Sequence, residues 1–145
     1  MKGFRFTLER VLDLRKREEE AIRADLAVRT TREDEARRRA EARRMRLSVL
    51  LDAARAARAG GRVDIHELAT ADAAVAQART ALAEADRELA VAGGERESCR
   101  LALVEAGRTR RALELLRERR EAEWKARAAK GEQAALDELG AVRAD

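Results

Sequence analysis

Apolar residues recur along most of this chain in steps of four and three. From Leu8 the stepping reaches Leu12, Arg15, Glu19, Ile22, Leu26, Arg29, Glu33, Ala36, Ala40, Arg43, Leu47, Leu50, Ala54 and Ala57 without a slip. Ten of these 15 positions are apolar. A 3.5-residue period keeps one stripe of a helix facing a partner helix, so the pattern predicts a coiled-coil seam over a first helix of about residues 4–58. Its five charged positions, Arg15, Glu19, Arg29, Glu33 and Arg43, weaken that seam.

The pattern stops at Ala59-Gly60-Gly61-Arg62. Paired glycines carry the largest backbone entropy into a helix and supply the positive φ values that often end one. Asp64 follows as a candidate N-cap, with Glu67 three residues on in the position of a capping box. Helix stop and helix start thus fall within one short turn over 59–64, which sends the second helix back along the first.

A second heptad then runs through Leu68, Ala71, Val75, Ala78, Leu82, Ala85, Leu89, Ala92, Arg96, Cys99, Leu103, Ala106, Arg110, Leu113, Arg117, Arg120 and Trp124. Thirteen of these 17 are apolar, and the part from Leu68 to Ala92 alternates large and small residues. This helix spans about residues 65–130 and carries a C-terminal extension. Gly93-Gly94 and Gly107 interrupt it at about 1 kcal/mol each relative to Ala, as local softening or as a hinge. The fold class is all-α: a single, long two-helix antiparallel coiled-coil hairpin. At 1.5 Å per residue the helices are roughly 80 Å and over about 100 Å long. The chain ends therefore meet at one end, where the second helix overhangs.

Charge supports the same pairing. Residues 36–62 hold nine Arg against Glu41 and Asp52, a local sum of +7, while residues 63–95 hold seven acids against Arg79 and Arg87, a sum of −5. A turn at Gly60-Gly61 lays these blocks side by side. That favours the hairpin over self-pairing of either helix. Residues 96–130 sum to +5, so the open end is basic on the second helix.

Composition narrows the function classes. The 145 residues are 41% charged and 2% aromatic, with no Pro, too few large side chains for a rounded core. Apolar content of 46% and the regular period argue against disorder. No run approaches the roughly 18 to 20 apolar residues that span a bilayer, and Lys2, Arg5, Glu9 and Arg10 break any signal-peptide core. One cysteine, Cys99, excludes an intrachain disulfide framework. The expected location is cytoplasmic.

Catalysis lacks material. His66 is the only histidine and falls in the first turn of the second helix, exposed; Cys99 falls on the seam, where it behaves as a small apolar group. No metal-ligand cluster, nucleophile elbow or phosphate loop occurs, so no catalytic, cofactor or metal residue is assigned. Arg37-Arg38-Arg39 with Arg43, Arg44 and Arg46 invites a nucleic-acid reading, as does a pI near 9.9. No stacking aromatics are interleaved, and the facing helix is acidic. The patch therefore reads as a face matched within the chain, ahead of an acidic protein partner and of nucleic acid.

The ends carry the concentrated apolar groups. Phe4, Phe6, Leu8, Val11 and Leu12 crowd the start, and Phe4 and Phe6 precede the heptad. They either staple against Leu113, Leu116 or Trp124 of the returning helix or contact a partner. Trp124 divides the same way.

Phe4-x-Phe6-x-Leu8-Glu9-x-Val11-Leu12, the Arg/Glu-rich helix, Leu113-Glu114-x-Leu116-x-Glu118-Arg119-Arg120 and Glu132-Gln133-x-x-Leu136-Asp137-Glu138 resemble the flagellar export protein FliJ family over the full length. The resemblance implies a soluble component of the flagellar type III export apparatus, similar to the stalk subunit of rotary ATPases. It implies insertion of the terminal end into a hexameric export ATPase and stimulation of hydrolysis. It also implies contact with the export-gate membrane protein and with substrate chaperones, peripheral to the inner membrane. The stalk of a virulence-type secretion system and a scaffolding coiled coil are the alternatives. Family members often carry aromatics along a mid-helix gate-binding surface; none lies between Phe6 and Trp124 here, so no residue is assigned to the gate. The residues assigned to the ATPase are Phe4, Phe6, Leu8, Val11, Leu12, Arg108, Arg110, Arg111, Leu113, Leu116, Arg119, Arg120 and Trp124.

Overall fold

The computed structural model describes residues 3–144. It holds two helices, α1 (Glu9–Ala59) and α2 (Ile65–Ala144), and no strand among the described residues. The fold is an all-α hairpin, as the two heptads predict. Chain contacts divide it into a turn unit, Arg23–Leu101, and a terminal unit made of Met1–Ile22 with Ala102–Asp145.

In the turn unit the seam follows the heptads closely. Ala36, Ala40, Ala54, Val75, Ala78, Ala85 and Cys99 are buried, and Leu26, Leu47, Leu50, Leu68, Leu82 and Leu89 are half-buried. Arg43 is the exception among the seam positions of this unit and lies exposed. So many alanines let two backbones approach closely, which substitutes dispersion contact for the large side chains this chain lacks. The charge blocks meet as expected: Arg39 pairs with Glu88 at 3.6 Å, Arg44 with Asp86 at 3.4 Å and Arg58 with Asp72. Arg29 adds a contact to Glu95 at 3.6 Å. Each exposed pair contributes at most about 1 kcal/mol, so their weight lies in choosing the partner rather than in holding it.

The turn departs from expectation in one respect. No described glycine has a positive φ, so Gly60 and Gly61 end α1 without the left-handed conformation. A Cβ at Gly61 would meet nothing within 4 Å, so sterics do not demand glycine there. The doublet acts through its weak helix propensity. Asp64 does cap α2: its carboxylate accepts the His66 N–H at 2.9 Å, and its carbonyl accepts the Leu68 N–H at 3.0 Å. Glu67 makes no return bond, so half of the capping box forms. His66 is exposed, as read from the sequence.

α2 runs unbroken through Gly93, Gly94 and Gly107, the continuous helix of the softening reading. A Cβ at Gly93 would lie 3.5 Å from Glu33 Oε1, and one at Gly107 would lie 3.6 Å from Glu19 Oε1. Both glycines lie against acids of the seam, at distances where a methyl group would make ordinary contact. Glu33 and Glu19 do not merely weaken the seam: each is buried and ion-paired across it, with Arg96 and Arg110 respectively.

Cys99 is buried in the turn unit, and its thiol donates to Asp25 Oδ2 at 3.7 Å. Burial pushes the thiol pKa up, and the Asp25 carboxylate adds to the rise. The hydrogen bond from Arg29 holds the Asp25 carboxyl below its usual range.

A candidate partner-docking end

In the terminal unit α1 starts about one turn later than the sequence suggests. Residues 3–6 are not helical, and the Glu9 N–H reaches back to the Phe6 carbonyl at 3.2 Å. Phe4 and Phe6 are both half-buried. Residues two apart share a face in extended chain and oppose each other in a helix, so burying both rings requires the non-helical start.

Phe4 meets Trp124, with ring centroids 6.3 Å apart and planes tilted by 52°. Tilted pairs at this separation are favoured by the ring quadrupoles. Phe4, Phe6, Leu8, Leu116, Arg120 and Trp124 line one open cleft of about 600 Å³, joined by Arg5, Arg127 and Ala128. Of the residues assigned from the sequence, these six are brought together. Arg127 was missed there, although a position three beyond Trp124 shares its helix face. Arg5 lies between the two phenylalanines and carried no separate signal.

The other assigned residues are placed differently. Leu12 is 0% exposed and forms the seam's deepest contact. Val11 is 38% exposed, and Leu113 is half-buried. Arg110 lies in the seam between Glu19 and Glu114, and those hydrogen bonds, Glu19 first, raise its pKa. Arg108 pairs with Glu105 at 2.7 Å, and Arg111 reaches Glu114 at 3.4 Å and Glu118 at 3.3 Å. Arg119 and Arg120 are exposed and make no ion pair among the described residues. Arg117, opposite α1, pairs with Glu9 at 3.4 Å.

Beyond Ala128 every described side chain to Arg143 is exposed, including Leu136, Leu139 and Val142. The C-terminal extension is therefore helical and without a facing α1 segment. The described residues contain no group of acids, histidines and cysteine arranged to hold a metal ion. No described helix is long and apolar enough to cross a membrane.

The end can thus offer a partner an aromatic pair, an open apolar cleft and unpaired guanidinium groups beside it. The family model described as flagellar FliJ protein matches residues 4–144. No curated protein matches the chain, and no solved structure matches it. With two heptad helices in the expected order and a family match over nearly its whole length, the chain belongs to the flagellar FliJ family of non-catalytic components of flagellar protein export.

Proposed function

We propose that this chain is the stalk of the hexameric export ATPase, docking through its terminal unit and stimulating hydrolysis. The observation that carries this reading is the Phe4–Trp124 contact at the edge of a cleft that also holds Arg120. Aromatic and arginine side chains are the commonest anchors of protein interfaces, because both bury large area with little rotamer entropy or meet carboxylates two at a time. Arg5, Arg119, Arg120 and Arg127 make the surroundings basic, which suits an acidic lining in the partner. Leu12 and Arg110 serve on this reading by holding the helices together beneath the cleft. Contact with the export gate and with substrate chaperones belongs to the same proposal by family membership.

The test is addition of the purified chain to the cognate flagellar ATPase, with hydrolysis followed as a function of chain concentration. Phe4→Ala with Phe6→Ala should raise the concentration for half-maximal stimulation by roughly 30-fold, the equivalent of one aromatic anchor of about 2 kcal/mol. Helical content should stay unchanged. No stimulation by the parent, or a variant as effective as the parent, would remove the stalk reading and leave a scaffolding coiled coil.

A further inference from the structure

One arrangement occurs twice in the seam. In the turn unit Glu33 is 9% exposed, and its carboxylate accepts from Arg96 Nε across the seam and from Arg37 at 3.0 Å along α1. Gly93 precedes Arg96 by three residues and lies against Glu33, whose Oε1 a Cβ there would meet at 3.5 Å. In the terminal unit Glu19 is 6% exposed and accepts from Arg110 Nε, while Arg110 also donates to Glu114 at 2.8 Å. Gly107 precedes Arg110 by the same three residues and faces Glu19 Oε1 in the same way. The two acids, the two glycines and the two arginines are each 14 residues apart, which is two heptads.

We propose that these two layers are register locks: each specifies which α2 residue faces a given α1 residue, and together they keep the chain from pairing with a second copy. The rest of the seam specifies register poorly. Ala36, Ala40, Ala54, Ala78 and Ala85 are interchangeable in size, and a heptad pattern maps onto itself when shifted by seven residues. The charged layers do not. A shift of one heptad sets Glu33 against Leu89 in one direction and Leu103 in the other, leaving a buried carboxylate without its partner across the seam, Arg96, and with Arg37 of its own helix alone. Glu19 then faces Leu103 or Arg117. Two α1 helices paired in parallel and in register would set Glu19 against Glu19 and Glu33 against Glu33. Two α2 helices would oppose their arginines likewise. A buried ion pair adds little net stability over an apolar pair of similar volume, whereas breaking one is strongly unfavourable. Such a pair therefore discriminates between alignments more than it strengthens one.

The test replaces both layers by leucine: Glu19→Leu, Arg110→Leu, Glu33→Leu and Arg96→Leu, in a Cys99→Ala background. Spin-label pairs at positions 44 and 86, and separately at 9 and 117, report the alignment of each unit. Sedimentation equilibrium reports the mass, and circular dichroism the helix. The parent gives one narrow distance for each pair and the 16.2 kDa mass of one chain. The leucine variant keeps its helical content and gains either self-association or a second distance population, displaced by about 10 Å for seven residues at 1.5 Å each. A leucine variant that keeps the parent's narrow distances and mass would overturn the proposal. A leucine variant that loses its helices would overturn it too, because the pairs would then be supplying stability rather than alignment.

Discussion

Replacing Gly94 by Ala, and separately its neighbour Gly93, sets helix propensity against the local role of a glycine within one helix. A Cβ at Gly94 meets nothing within 4 Å, and the residue is exposed. Alanine there gains the full propensity difference, about 1 kcal/mol. At Gly93 the same gain applies, but the new methyl lies 3.5 Å from Glu33 Oε1 and 4.0 Å from its Cδ. That is ordinary contact, so nothing is forced apart. The methyl does exclude water from a carboxylate that is already almost buried, and losing that solvation offsets much of the gain. Thermal unfolding followed by circular dichroism should show Gly94→Ala raising the midpoint by about 3 to 5 °C, with Gly93→Ala close to the parent. A neutral or destabilising Gly94→Ala would refute the reasoning, because it would mean that the doublet serves as a flexible joint. A Gly93→Ala more stable than Gly94→Ala would show that Glu33 does not rest against α2.

Further outcomes follow from the same geometry. Leu12→Ala should lower stability by about 2 to 3 kcal/mol in urea unfolding, near the lower end for buried leucine because a two-helix seam lets water reach the gap; a loss under about 1 kcal/mol would contradict its complete burial. Asp64→Ala should cost about 1 kcal/mol through the lost cap to His66, and an unchanged midpoint would exclude that bond. Asp25, Glu97, Glu114 and Glu121 are all held below their usual pKa, by Arg29, Arg100, Arg110 and Lys125 respectively. Lowered carboxylates contribute stability above their ordinary pKa and lose it as pH falls through the folded values. The thermal midpoint should therefore be flat near neutrality and decline below about pH 4, and a midpoint that rises on acidification would reverse the sign. The Cys99 thiol, with its pKa raised, should react with iodoacetamide at pH 8 far more slowly in the folded chain than in urea.

Much of the fold is legible in the sequence because a coiled coil is nearly a one-dimensional object. Thirteen of the 15 seam positions read for α1 and 15 of the 17 read for α2 are buried or half-buried, the exceptions being Leu8, Arg43, Arg117 and Arg120. Three of those four are arginines, whose long stems keep the charge in water at little cost. The candidate site was legible in composition but not in arrangement. Phe4, Phe6 and Trp124 stood out as rare aromatics, yet the helical period could not say that Phe4 and Phe6 leave the helix to face the same way. Arg108, Arg111 and Arg120 look alike in the sequence; the first two are tied to acids of their own helix and the third faces the cleft.

By itself the sequence determined the two helices, the place of the turn and the pairing of a basic block with an acidic one. Period and net charge are sums over neighbouring residues, and neighbours are what a sequence displays. Only the tertiary structure decided the fate of the polar seam positions. Whether Glu19 and Glu33 weaken the seam or align it depends on arginines 91 and 63 residues away. Burial makes a charge unfavourable or useful according to what lies across from it, and that partner is set by the fold.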